Sequence, residues 1–130
     1  MMNRPISKGF PRVGLLQIGI ILLAVITALI HLYLGVSGLM MGRGGPLTIM
    51  FVLNFVGYIV LVTALYLPAL QSIQPITRWI LIAFTTVTII MWYLISSSHA
   101  DIVDYVDKSV EVVLIILLLV EAFRPRLRKA

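Results

Sequence analysis

Long uncharged runs separated by short polar or glycine- and proline-bearing breaks set the pattern of this chain. No charged residue occurs in the 30 positions from Val13 to Gly42. That run supplies a first helix over 14–41, which at about 1.5 Å per residue exceeds a hydrocarbon layer of roughly 30 Å. Gly42-Arg43-Gly44-Gly45-Pro46 breaks it, because glycine accepts any backbone angle and proline cannot continue a helical ladder. A second helix over 47–67 stops at Pro68, and Gln71 to Thr77, which contains Pro75, reads as a turn. The third helix is expected over 79–95 and the fourth over 102–123, followed by a basic tail over 124–130. The pattern predicts an all-α integral membrane protein, a single domain of four transmembrane helices in an up-down-up-down bundle.

Within the runs, small residues recur at the spacing of a helix-packing seam. Ala24, Ala28, His31, Gly35, Gly38 and Gly42 follow one another at intervals of four and three in the first helix. Asn54, Gly57, Leu61 and Ala64 repeat the pattern in the second. Helices in lipid gain little from burying leucine, so Ala24, Ala28, Gly35, Gly38, Gly57 and Ala64 are expected to carry the close packing. Counting residues from the outer helix ends places His31, Asn54, Thr85 and Thr88 about 10–15 Å below the outer boundary, as one polar layer.

The fourth helix departs from this pattern. Only nine residues, Val112 to Val120, lie between Glu111 and Glu121. A span of about 20 residues ending at Phe123 reaches back to Asp104, so Asp107, Lys108 and Glu111 fall inside the crossing. Asp104, Lys108, Glu111, Ile115, Leu118 and Ala122 share a face at the same spacing. A charge at the bilayer centre costs at least about 2.5–3.5 kcal/mol, and such residues face protein or water. Lys108 and Glu111 therefore join His31, Asn54, Thr85 and Thr88 as a candidate ion site. Alternatively, Asp101, Asp104 and Asp107 form a solvated first turn, where carboxylates complement the helix dipole. His31 reads either as a structural hydrogen-bonding residue, to Asn54 or a threonine, or as a ligand or proton relay. The threonines can equally bond their own helix carbonyls. Glu121 is expected to pair with an interfacial base.

Composition and charge agree. Of 130 residues, 61% are hydrophobic and 12% charged, against averages near 45–50% and 25% for soluble domains. There is no cysteine, which excludes disulfides, thiolate chemistry and the cysteine pair of vitamin K epoxide-type reductases. The net charge of +5 does not imply nucleic acid, because the basic residues flank apolar runs. Arg4, Lys8, Arg12, Arg78, Arg124, Arg126, Arg128 and Lys129, eight of the ten bases, fall on one side of a four-span topology. Arg43 and Lys108 fall on the other. The positive-inside bias then places both termini in the cytoplasm of a multi-pass protein of the cell membrane.

These features support three functional readings and no enzyme. The first is an accessory subunit of a larger membrane complex, of respiratory or photosynthetic type by analogy only. It would touch lipid and neighbouring subunits, the latter through Asp101, Asp104, Asp107 and Glu111 on the outer half of helix four. The second is a small proton- or ion-coupled transporter built on the layer around His31 and Glu111. Small multidrug transporters share its length and helix number but carry their essential carboxylate in the first helix, where this chain has none. The third is a subunit binding a haem or chlorophyll-type pigment at His31, although the sequence requires no cofactor. His99, expected in a loop, is badly placed to complete a bis-histidine site.

Overall fold

A computed structural model describes residues 14–42, 44–96 and 101–129, with side chains described to Arg124 except that of Ser96. Arg4, Lys8, Arg12, Arg43, His99 and the side chains of the basic tail beyond Arg124 lie outside the described residues. Among the described residues the structure is entirely helical, without strands. It comprises α1 (Leu15–Met40), α2 (Pro46–Tyr66), a short 3₁₀ segment (Pro68–Ile73), α3 (Gln74–Ser96) and α4 (Ile102–Lys129).

Local chemistry sets the helix ends. Gln17 reaches back to accept a hydrogen bond from the Gly14 amide at 2.9 Å, half of a capping box at the start of α1. At its other end, Gly42 takes φ +75° and Gly45 φ +135°, left-handed angles that L side chains rarely adopt. The chain thereby reverses within a few residues and enters α2 with Pro46 in its first turn, where a missing N–H costs nothing. The last carbonyls of α2 are capped from beyond Pro68, with Gln74 donating to Leu65 at 2.9 Å and Gln71 to Leu67 at 3.1 Å. At α4, Asp101 accepts the amide of Val103 at 3.1 Å and donates its own to Asp104 Oδ2 at 3.1 Å. Asp101 and Asp104 thus form the acidic helix start that the dipole favours.

Two boundaries differ from the sequence reading. α3 begins at Gln74 rather than near Trp79, because Pro75 falls in its first turn and the polar run Gln74–Arg78 is helical. α4 continues past Pro125 to Lys129 instead of ending at Phe123, since the proline removes one rung near the helix end.

Three segments are long and apolar enough to cross a membrane: Leu15–Met40, Pro46–Tyr66 and Pro68–Ile95. α4 has the length, at 28 residues, but its charges keep it outside that class. Each helix packs against two others, α1 on α2 and α4, α3 on α2 and α4, so the four stand at the corners of a square. The core between them holds Ile20, Ala24 and Ala28 of α1, Tyr58, Val62 and Leu65 of α2, Leu81 and Ile82 of α3, and Leu114 and Leu118 of α4. Outward faces are lined with exposed Leu22, Leu29, Leu53, Val60, Val87 and Ile116.

The small residues allow this closeness. Ala24, Ala28 and Gly35 are buried, and a Cβ on Gly35 would stand 2.7 Å from Val52 of α2. Gly38 and Ala64 are half-buried. Gly57, also half-buried, receives the ring of Phe84 from α3, which is wedged edge-on against Tyr58 with centroids 5.0 Å apart. A methyl group there overlaps the ring, which would have to shift away from Tyr58 to admit it. Gly57→Ala is expected to destabilise the bundle by about 1–3 kcal/mol, read as a lowered unfolding midpoint in detergent.

Candidate functional site

The charges of α4 are turned into its own bundle. Asp107, Glu111, Leu114, Leu118 and Glu121 are buried at intervals of four and three, with Lys108 beside them. The buried stripe is therefore rotated from the face that holds Asp104, Ile115 and Ala122, and it brings Asp107 inward in place of Asp104. Opposite this stripe α1 presents Thr27 and His31, one turn apart and both buried.

The contacts are short. Lys108 Nζ donates to Glu111 Oε1 at 2.7 Å and stands 3.1 Å from Asp107 Oδ2. Tyr58 Oη, reaching across the square from α2, donates to Glu111 Oε2 at 2.7 Å. The Thr27 hydroxyl lies 2.6 Å from Asp107 Oδ1 and 3.1 Å from Glu111 Oε2; with one proton to give, it bonds the nearer oxygen. Buried carboxylates are stable only when so surrounded.

His31 is held differently. Its Nδ1 lies 2.8 Å from the Thr27 backbone carbonyl. A carbonyl can only accept, so Nδ1 carries a proton and the tautomer is fixed. Nε2 then faces Asp107 Oδ2 at 3.6 Å and Glu111 Oε2 at 3.8 Å, both beyond hydrogen-bonding distance. One ligand atom from each of His31, Asp107 and Glu111 lies within 4.8 Å of the others. The constellation thus gathers two carboxylates, one ammonium and one imidazole out of contact with solvent.

A cavity of about 180 Å³ adjoins it, bounded by His31, Asp107 and Lys108 on one side and by Phe51, Phe84 and Met91 among its apolar walls. Asn54 and Thr88 also line it. They are joined to each other, the Thr88 hydroxyl lying 2.8 Å from Asn54 Oδ1, while Asn54 Nδ2 bonds the Met50 carbonyl at 3.0 Å. Of the two partners the sequence suggested for His31, the structure supplies a threonine, Thr27. Thr85 is fully buried and gives its hydroxyl to the Leu81 carbonyl of its own helix at 2.9 Å. Lys108 Nζ rests 5.7 Å from the centre of the Trp92 ring, a cation–π contact.

About 15 Å along α4 lies a second polar junction. Glu121 accepts Arg78 Nε at 2.8 Å, Tyr66 Oη at 2.8 Å and Gln17 Nε2 at 3.0 Å, and Arg78 also reaches Gln74 at 3.2 Å. This is a neutral, closed pair that ties all four helices. The expected pairing of Glu121 with a base is thus met from α3, and it is buried rather than interfacial.

Sequence reasoning did not single out Thr27, Tyr58, Gln17, Tyr66 or Arg78 as members of these junctions. A signal existed for the first two: Thr27 lies four residues before His31 and Tyr58 four after Asn54, so each continues an inward stripe. The chain matches no protein-family model, no curated protein and no solved structure.

Proposed function

We propose that this chain is a small cation-binding carrier of the cell membrane, a four-span up-down-up-down bundle with both termini on the cytoplasmic side. One observation carries the reading: a buried constellation of two carboxylates, an imidazole and an ammonium opens onto a cavity between the helices. Ionisable residues at membrane depth mark ion pathways when they face the bundle interior. A cation entering through the cavity would come between Nε2 and the two carboxylates.

α4 counts as the fourth span by its faces rather than its average. Ile102, Val106, Val113, Ile116, Val120 and Phe123 are exposed along its outer side, whereas Asp107, Lys108, Glu111 and Glu121 are covered by protein. Its charges therefore need no contact with lipid. The excess of Lys and Arg on one side supports the stated orientation.

The carrier is preferred to the accessory subunit because Asp107 and Glu111 already have partners inside the bundle and Asp104 is half-buried beside the cavity, leaving only Asp101 of the proposed contact surface exposed. It is preferred to the pigment subunit because the cavity is smaller than the roughly 300–1,000 Å³ of sites for drug-sized ligands, and a tetrapyrrole is larger still.

The test is flux in proteoliposomes under an imposed Na⁺ or Mn²⁺ gradient, with dyes reporting the cation and protons. Cation movement above that of protein-free vesicles is expected. Glu111→Gln keeps an acceptor for Tyr58 but removes the charge, and is expected to cut flux at least tenfold with unchanged chromatographic elution. Wild-type protein that moves none of these ions overturns the reading.

A further inference from the structure

The geometry points to a site for one first-row divalent transition-metal ion, ligated by His31 Nε2, Asp107 Oδ2 and Glu111 Oε2. This deepens the carrier reading and rests on it for what the ion does, but the site itself stands on three structural observations.

The first is distance. The hydroxyl and ammonium contacts to the two carboxylates all lie between 2.6 and 3.1 Å: Thr27, Tyr58 and Lys108 supply them. Nε2 alone stands off, at 3.6 and 3.8 Å. Two ligand atoms each about 2.0–2.1 Å from a tetrahedral ion are roughly 3.4 Å apart. The gap is therefore close to that of ligands sharing a centre, too long for an N–H···O bond and too short to admit a bridging water.

The second is the outer shell. A metal-ligating histidine donates its other ring N–H to a carbonyl or carboxylate, which fixes the tautomer and aims the free nitrogen. The Nδ1 contact to the Thr27 carbonyl does this. The carboxylates are oriented in the same way, Asp107 by Thr27 and Glu111 by Tyr58.

The third is access. His31 and Asp107 line the cavity, so an ion has a route to the ligands and space for a water or substrate as a further ligand. One imidazole with two carboxylates and no sulfur suits Mn²⁺, Fe²⁺ or Zn²⁺ better than Cu⁺, while the imidazole sets it apart from an all-oxygen Mg²⁺ or Ca²⁺ site. Lys108 shares Asp107 Oδ2 with the proposed ion at 3.1 Å and so acts as its competing cation.

The full chain in detergent micelles is titrated with Mn²⁺, following loss of the free-ion electron paramagnetic resonance signal. One Mn²⁺ per chain is expected, with a pulsed-resonance coupling to one directly bonded ¹⁴N. His31→Gln is expected to weaken binding at least tenfold and abolish the coupling. Lys108→Met is expected to tighten binding at least threefold, an effect opposite to that of losing a purely structural residue. If His31→Gln does not fold, His99→Asn decides: it leaves His31 as the sole imidazole, and the coupling persists. No bound Mn²⁺, bound Mn²⁺ without the nitrogen coupling, loss of the coupling in His99→Asn, or weaker binding in Lys108→Met each overturns the assignment. Na⁺ flux in a protein that binds no Mn²⁺ removes the metal and leaves the carrier; tight Mn²⁺ binding without flux of any ion removes the carrier and leaves the metal.

Discussion

Arg78→Met is expected to cost about 3–5 kcal/mol, the loss typical of a buried ion pair that loses one partner. The magnitude follows from what is left behind. Glu121 is almost fully covered, and its remaining donors, Tyr66 and Gln17, are neutral. A carboxylate stripped of its guanidinium at that depth keeps its desolvation cost and loses the charge that offsets it. Combining Arg78→Met with Glu121→Met is expected to recover at least half of the loss, because the double variant buries thioether-bearing chains in place of ions. Unfolding midpoints in a mild detergent, measured for the wild type, both single variants and the double variant, form the cycle that checks this. Additive losses from the two single variants would show that the pair is not energetically coupled.

Tyr58 carries the second large effect, and two substitutions separate its parts. Tyr58→Phe keeps the ring against Phe84 and His31 but removes the donor to Glu111 Oε2, which is expected to cost about 1.5–3 kcal/mol as a bond to a charged acceptor. Tyr58→Ala also empties the centre of the core and is expected to cost about 3–5 kcal/mol, the range for large aromatic truncations. The side chain is fully buried and among the largest that are, so little collapse into the space is available. Equal losses for the two variants in the same unfolding assay would locate the whole effect in the hydroxyl.

Hydrophobic runs and their breaks were sufficient to find four helices, since uncharged stretches bounded by Gly42–Pro46 and Pro68 leave few alternatives. The inward faces of α1 were legible for the same reason: Ala24, Ala28, His31 and Gly35 stand apart from their leucine-rich surroundings. α2 was harder, because its core residues Tyr58, Val62 and Leu65 are as apolar as the exposed Leu53 and Val60. Where every position is apolar, hydrophobicity carries no directional information, and small or polar residues must supply it. On α4 adjacent carboxylates made the face ambiguous. Asp104 and Asp107 lie less than a turn apart, and only the geometry of capping, with Asp104 engaged by the Asp101 amide, separates the half-buried residue from the fully buried one. Arg78 was read as a topology signal because it falls on the base-rich side of a four-span chain. That it turns inward to Glu121 depends on a contact across 43 positions, which no local window contains.

α2 and α4 occupy opposite corners of the square, yet both of its polar junctions join them, Tyr58 to Glu111 and Tyr66 to Glu121. All five acidic residues of the chain lie between Asp101 and Glu121, so α4 is the helix whose carboxylates its neighbours must satisfy. The other three helices thereby form a receptor, and α4 is the ligand that docks into it through its own carboxylates.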